Sequence, residues 1–421
     1  MDPFRFVHAA DLHIDSPFAG VGDVGDADNR IATRLREATF EAFRNLVDLC
    51  INQKADFLVI AGDVYDGADR SVRAQLRFRD GLSKLADAGI QTFVVHGNHD
   101  PLDGWQSSIS WPEGVHIFGA TPEWKNFEKN GEIVAAIQGM SYPTREVTDN
   151  LSKQFTPPES GNLFTIGLLH ANVGANSAHP NYAPCTVEDL SESGIDYWAL
   201  GHVHTRQTLK QSAPVIAYPG NTQGRHPNET GARGALIVDV DDSSASRIEF
   251  AALDVVRWER CEVDISNIET IDSLDSAIKQ ATDNLNVQAE DRDVVCRLTL
   301  VGRGPLHEQL TATGAVDDLL DSVRDAWNAS GSPWVWVERI TDSTRPTIDI
   351  ESRTKQDDFL GATLKRALLS SIDSDEIDRL TKVVSDVYTG RRNGLEPPSD
   401  EQVSAWAEEA RWYLAELLDQ G

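Results

Sequence analysis

Phe57-Leu58-Val59-Ile60-Ala61-Gly62-Asp63-Val64-Tyr65-Asp66 is the stretch that decides the fold. Its first five residues are apolar without a break, as in a strand buried on both faces of a sheet. Gly62 then permits a sharp turn and close backbone approach. Asp63 and Asp66 therefore fall just past the C-terminal end of the strand, where α/β sheets bind their ligands.

The same rhythm extends in both directions. Phe4 to Ala10 reads as a first strand and Ile31 to Ile51 as an amphipathic helix, with Ile31, Leu35, Ala38, Ala42, Leu46 and Leu49 near helical spacing. Ser71 to Ala88 reads as a second helix, stopped by Gly89, and Ile90 to His96 as a strand ending in Gly97. Phe164 to His170, Tyr197 to Leu200 and Ala235 to Val240 are further strand-length runs, and the Pro-rich stretch Thr156 to Gly161 reads as a surface loop. Such alternation predicts an α/β sheet covered on both faces. Past Asp254 the pattern changes to strands at 255–265, 293–301 and 334–340 with helices at 273–285 and 315–327, a small α+β domain. From Gln356 onward the patterns are helical, at 359–369, 377–387 and 400–418, the last with Pro398-Ser399 as its start signal. The expected domains are 1–254, 255–345 and 346–421.

The chain has 421 residues, 38 basic and 67 acidic, for a net charge of −29. Such a surface repels nucleic acid and anionic lipid at long range unless a local basic patch or bound cations reverse the sign. No run of about 18 apolar residues occurs, so no membrane span is expected. The start, Met1 to Phe6, has no secretory pattern, and a cytoplasmic protein is expected. Cys50, Cys185, Cys261 and Cys296 form no Cys-x-x-Cys pair and read as reduced thiols.

Five motifs sit where predicted strands end: Asp11-Leu12-His13, Gly62-Asp63-Val64-Tyr65-Asp66, Gly97-Asn98-His99-Asp100, His170, and Gly201-His202-Val203-His204. Carboxylate oxygen with neutral imidazole suits Mn²⁺, Fe²⁺ or Zn²⁺ better than Ca²⁺. Asp-x-His puts two donors on the same side of an extended segment, and His202 and His204 repeat that spacing. The isolated His8, His96, His116, His179 and His307 read as ordinary satisfied polar groups.

This ordered set resembles the calcineurin-like metallophosphoesterases over about residues 1–250. The resemblance implies a two-sheet α/β sandwich flanked by helices, followed here by the small α+β cap domain and the helical C-terminal segment. It implies one metal held by Asp11, His13, Asp63 and His204 and a second by Asp63, Asn98, His170 and His202, with Asp63 bridging. His99 would stabilise the transition state or protonate the leaving oxygen, oriented by Asp100 or Asp66. Ala9 to Pro17, Asp69-Arg70-Ser71, Leu168 to Gly174 and Tyr218 to His226 look like the SbcD-like DNA repair exonucleases of the bacterial YhaO type. That branch implies Mn²⁺-dependent cleavage of DNA, an SMC-like (SbcC-like) ATPase partner docking the helical tail, and a homodimer. Archaeal and eukaryotic relatives carry His where this chain has Asp66, which bears on the direction of cleavage.

Arg70, Arg73 and Arg77 share one helix face after the Asp63 loop, suiting phosphate contact and a solvated face equally. Arg225, His226 and Arg233 lie in a Gly-rich loop and lean towards substrate contact. Val403, Trp406, Ala410, Tyr413, Leu414, Leu417 and Leu418 form an apolar stripe on the last helix, suited to core packing or to partner docking. The leading expectation is a DNA exonuclease or endonuclease. A phosphoesterase for a small phosphodiester or nucleotide, and a catalytically weak subunit of an ATPase complex, are the alternatives.

Overall fold

The computed structural model describes residues 2–18, 29–67, 71–104, 109–157, 163–174, 181–241, 244–327, 333–347, 349–372, 374–389 and 398–418. Arg70, His179 and most of the 156–161 loop lie outside them.

In chain order the elements begin β1 (Phe4–Ala9), α1 (Asn29–Asn52), β2 (Phe57–Ala61), α2 (Val72–Asp87), β3 (Gln91–Val95) and β4 (Val115–Ile117). They continue as β5 (Glu123–Lys129), β6 (Glu132–Met140), β7 (Phe164–His170), α3 (Val187–Ser191), β8 (Tyr197–Gly201), β9 (Gln207–Lys210), β10 (Val215–Tyr218), β11 (Gly234–Asp241) and β12 (Ser244–Ala252). Two six-stranded sheets result, ordered β12-β11-β1-β2-β3-β4 and β5-β6-β7-β8-β10-β9. β1 to β4 run parallel, as do β6, β7, β8 and β10, so the loops after β1, β2 and β3 leave one sheet edge together.

The period-two alternation of a strand explains why these runs are apolar throughout. Phe4, Phe6, Phe57, Val59, Phe93, Phe164, Ile166 and Tyr197 meet between the sheets. Val7, Leu58, Ile60 and Val94 point the other way, onto Phe40, Phe43 and Leu46 of α1 and Phe78, Leu82 and Leu85 of α2. Burying one such side chain stabilises the fold by about 1.5–3 kcal/mol. α2 starts where Ser71 Oγ accepts the Ala74 N–H at 3.0 Å, and Gly89, at φ 77°, follows its end.

β4, β5, β6, β9, β10 and β12 add to the strands expected from sequence. β5 and β12 are edge strands with mostly polar, solvent-facing residues, and Phe127 is the one buried residue of β5. Their pattern lacks the apolar run by which an inner strand is recognised.

The chain continues through β13 (Val256–Asp264), α4 (Ile271–Gln288), β14 (Asp293–Val301), α5 (His307–Leu310), α6 (Ala315–Trp327) and β15 (Val335–Asp342), with the three strands in one sheet. It ends in α7 (Ile350–Arg353), α8 (Phe359–Ile372), α9 (Ser374–Thr389) and α10 (Asp400–Leu418). Two compact units emerge: 1–261 with 282–297 and 324–339, and 262–281 with 298–323 and 340–421. Within the first, Ile31, Leu35 and Ala38 pack with Val256, Trp258, Val295 and Trp336. Within the second, Leu360 and Leu364 of α8 pack with Ala415 of α10. The apolar stripe of α10 divides: Val403 is buried, whereas Trp406, Tyr413, Leu417 and Leu418 are exposed. Among the described residues no helix is long and apolar enough to cross a membrane.

Candidate metal centre

The ends of β1, β2 and β3 in one sheet and of β7 and β8 in the other bring the five motifs together. The backbone there is left-handed at Asp11 (φ 51°), His13 (φ 43°), Asp63 (φ 51°) and His202 (φ 100°). Such non-glycine residues cost about 1–3 kcal/mol each and need support. The Asp11 N–H donates to Gly62 O at 3.0 Å, the His13 N–H to Asp63 O at 3.0 Å, and the His202 N–H to the Asp11 carboxylate at 3.1 Å. Gly62, at φ 90°, is required twice over, because a Cβ there would lie 2.5 Å from His170 Nδ1.

Two groups of donors converge on Asp63. In the first, His13 Nε2 lies 3.2 Å from His204 Nε2 and 3.8 Å from Asp63 Oδ2, and His204 Nε2 lies 4.0 Å from Asp11 Oδ1. In the second, His170 Nε2 faces Asn98 Oδ1 at 3.0 Å and Asp63 Oδ2 at 3.4 Å, and His202 Nδ1 faces the same Asn98 oxygen at 3.2 Å. His170 Nδ1 is 2.9 Å from the Ala61 carbonyl, which can only accept. That nitrogen therefore carries the ring proton, and Nε2 turns a lone pair towards two oxygens that are acceptors as well. His13 Nδ1 lies 3.0 Å from Asp66 Oδ1 and His204 Nδ1 2.5 Å from Glu229 Oε1. In the neutral rings those contacts again leave bare Nε2 atoms facing each other. Lone pairs gathered this way suit a shared cation.

Electrostatics agree. Burial pushes Asp11 up to about 6, against the pull of His204 and the His202 N–H. Burial, together with Asp100 and Asp11, pushes Asp63 well above the usual carboxylate range. Among the described residues neither carboxylate has a Lys or Arg in ion-pair contact. Burial holds His13 and His170 well below the ordinary histidine value, so both are neutral donors. Asp11 with His13 and His204, and Asp11 with Asp63 and His170, are donor groups compact enough for a metal ion. The residues present fit divalent metals.

His99 stands beside these groups, its N–H donating to Asp63 Oδ1 at 3.0 Å and its side chain partly exposed. Of the two carboxylates expected to orient it, Asp66 is the one at hand, with Oδ1 3.4 Å from His99 Nδ1. Asp100 does not take that place. It is fully buried and accepts the Val64 N–H at 2.9 Å and the Gly97 N–H at 2.7 Å, and faces His96 Nδ1 at 2.9 Å. Its contacts tie the β2 and β3 loops together.

The expected substrate contacts separate. Arg225 reaches the site, its Nη1 3.3 Å from Asp66 Oδ1 and hydrogen-bonded to Ser16 Oγ. His226 is exposed, and its Nδ1 accepts the Asn228 N–H at 3.1 Å within its own loop. Arg73 pairs with Glu37 and Asp15 and lies over the Phe40 ring at 4.5 Å, a contact between α2 and α1. Arg233 is buried and donates to His204 O at 2.6 Å and Thr230 O at 2.8 Å, which makes it a strut of the loop rather than a substrate arm. Arg70 lies outside the described residues.

Glu229 and Ser16 are the site neighbours that motif reading does not single out. Burial alone would raise Glu229, but the His204 hydrogen bond and Arg225 outweigh it and hold the carboxylate well below its usual range. Ser16 Oγ donates to Asp66 Oδ2 at 2.7 Å.

Comparison with known proteins matches this geometry to a family. The family model of calcineurin-like phosphoesterases matches residues 4–206, and that of the metallophosphoesterase YhaO middle domain matches residues 258–345. The chain is 34% identical to an uncharacterized metallophosphoesterase YhaO of Bacillus subtilis, over 98% of this chain and 97% of that one. It is 25% identical to a subunit of the nuclease SbcCD from the same organism, over 61% of this chain and 72% of that one. It is 24% identical to the DNA double-strand break repair protein Mre11 of Thermoplasma acidophilum, over 54% of this chain and 63% of that one. The chain belongs to the calcineurin-like metallophosphoesterases, a family of metal-dependent phosphoester hydrolases.

Proposed function

We propose that this chain is a Mn²⁺-dependent DNA phosphodiesterase, an exonuclease with endonuclease activity, serving DNA repair in the cytoplasm with an SbcC-like ATPase and as a homodimer. The observation that carries the hydrolytic part is the gathering of lone pairs on either side of Asp63. Asp11, His13, Asp63 and His204 would hold one ion, and Asp63, Asn98, His170 and His202 the other. When bound, two such ions clamp a phosphodiester, polarise it and lower the pKa of water. The DNA substrate and the ATPase partner are supported by what the relatives are named for, part of a nuclease and a double-strand break repair protein.

The chain's own residues complete the chemistry. Burial keeps the His99 ring below its ordinary pKa, while Asp66 works the other way. As charge builds on the leaving oxygen, Asp66 beside Nδ1 favours the doubly protonated ring, which makes an Nε2–H available to that oxygen. Arg225, paired with Asp66, is the cation placed to meet a phosphate. A small phosphodiester or nucleotide is the second reading, favoured by the net charge of −29, which disfavours long-range attraction of DNA.

The test is incubation of the purified chain with Mn²⁺ and 3′- or 5′-labelled single- and double-stranded DNA, with His99→Ala as control and bis-p-nitrophenyl phosphate in parallel. DNA cleavage lost in His99→Ala is the expected result, and the label pattern gives the polarity. Turnover of the small diester without DNA cleavage would replace the DNA reading with the second one. No turnover of either would overturn both.

A further inference from the structure

His204 is the least enclosed of the residues expected to hold metal by imidazole. Its side chain is 21% exposed, whereas those of His13 and His170 are 0% exposed. The two donor groups are also oriented by different means. In the second, the His170 proton is fixed by a backbone carbonyl, Ala61 O. In the first, both rings lean on side-chain carboxylates, His13 on Asp66 and His204 on Glu229. Packing does not hold His204 in place, so its partner must.

Glu229 is built for that task. Its Oε1 is 2.5 Å from His204 Nδ1, and its Oε2 accepts the Arg225 N–H at 2.6 Å and the His226 N–H at 3.2 Å. The Glu229 N–H donates back to His226 O at 2.8 Å, closing the loop on itself. Arg233 braces both sides, donating to the carbonyls of His204 and Thr230. One carboxylate, its side chain 13% exposed, thus holds a metal-facing ring with one oxygen and the backbone of the Arg225 arm with the other. A carboxylate on the far nitrogen of a ligand histidine fixes its tautomer and raises its basicity.

We propose that Glu229 is the positioning residue of the Asp11–His13–Asp63–His204 group, and that it couples filling of that group to the placement of Arg225. This rests on the two-cation reading above. Glu229 sets the affinity of one metal and leaves the other, held around Asn98, His170 and His202, untouched. The Arg225 arm is ordered by the same carboxylate, so loss of Glu229 also weakens substrate binding.

The experiment is a Mn²⁺ titration of the full metal-stripped chain, with free Mn²⁺ read by electron paramagnetic resonance. Wild type is compared with Glu229→Gln, Glu229→Asp and Glu249→Gln, the last on the exposed strand β12. The wild type and Glu249→Gln should bind two equivalents alike. Glu229→Gln should bind one of them about 10–100-fold more weakly, the range for lost outer partners of metal ligands, and the other unchanged. The His204 Nδ1 ring proton, far downfield in ¹H spectra of ¹⁵N-histidine protein, should disappear with it. If Glu229→Gln does not fold by circular dichroism, Glu229→Asp decides, since its carboxylate keeps the charge but withdraws from the ring and should weaken the same equivalent. Unchanged binding in the folded variant, or equal weakening of both equivalents, would overturn the assignment of Glu229. A wild-type chain that binds no Mn²⁺ would instead overturn the two-cation reading itself.

Discussion

Asp66 Oδ1 lies 3.4 Å from His99 Nδ1, and the same oxygen is 3.0 Å from His13 Nδ1. One carboxylate therefore serves both a residue placed to donate to the leaving oxygen and a residue placed to hold metal. Burial opposes its ionisation, but His13, Arg225 and Ser16 hold it far below the usual carboxylate range. His99→Ala is expected to lower kcat on bis-p-nitrophenyl phosphate by about 10²–10⁴-fold while Mn²⁺ affinity stays at the wild-type value. Asp66→Asn should lower both. Steady-state kinetics beside metal titration checks the split, and a His99→Ala protein that no longer binds Mn²⁺ would refute it.

Removing divalent ions should cost stability. Asp11 and Asp63 are buried together, and each raises the other's pKa or is raised by neighbouring carboxylates. Mn²⁺ at about 100 times Kd should add about 2.7 kcal/mol per site to the unfolding free energy. Urea unfolding in chelator and in Mn²⁺ measures it. Coincident curves would show that no ion binds the folded chain selectively.

His8 predicts an acid-sensitive step away from the donor groups. It is fully buried, with Nδ1 3.1 Å from Tyr197 Oη and Nε2 3.2 Å from Leu200 O. Burial lowers its pKa from 6.5 to about 3. Between those values the unfolded chain binds a proton that the native chain does not, so stability rises with pH across the window and this contribution is lost as pH falls below 6.5. The effect is on the order of a few kcal/mol at full extent. His8→Gln should show a shallower loss of urea midpoint from pH 7 to pH 5 than wild type. An equal slope in the two proteins would rule His8 out as the source.

Asp254 predicts a large structural cost. Its buried carboxylate takes Arg257 Nε at 2.8 Å and lies 3.1 Å from Arg292 Nε. Asp254→Ala would strand Arg257, itself buried, at a cost of about 3–5 kcal/mol. Chemical denaturation of the variant measures it, and a loss under about 1 kcal/mol would mean that the arginines find water or other partners.

What the sequence makes legible follows from burial. Strands covered on both faces, such as Phe57–Ala61 and Phe164–His170, must be apolar at every position, and their ends can be read to within a residue. The donors at those ends are legible because Asp-x-His and Gly-His-x-His have local spacing that the strand geometry converts into direction. Glu229 escapes such reading. It lies 25 residues from His204 on an irregular loop, one of 67 acidic residues, and only the folding of that loop brings it to the ring. Asp100 and Arg233 mislead for the opposite reason. Both sit in or beside motifs, yet their polar atoms are taken up by backbone groups and by His96. Edge strands such as β12 remain hidden because one neighbour and open solvent ask little of a side chain.

The most direct test of the central claim is anomalous diffraction at the manganese edge from crystals soaked in Mn²⁺. Two peaks are expected, one among Asp11, His13 and His204 and one among Asn98, His170 and His202, with Asp63 between them. A single peak, or peaks elsewhere with these side chains unchanged, would contradict the two-cation account.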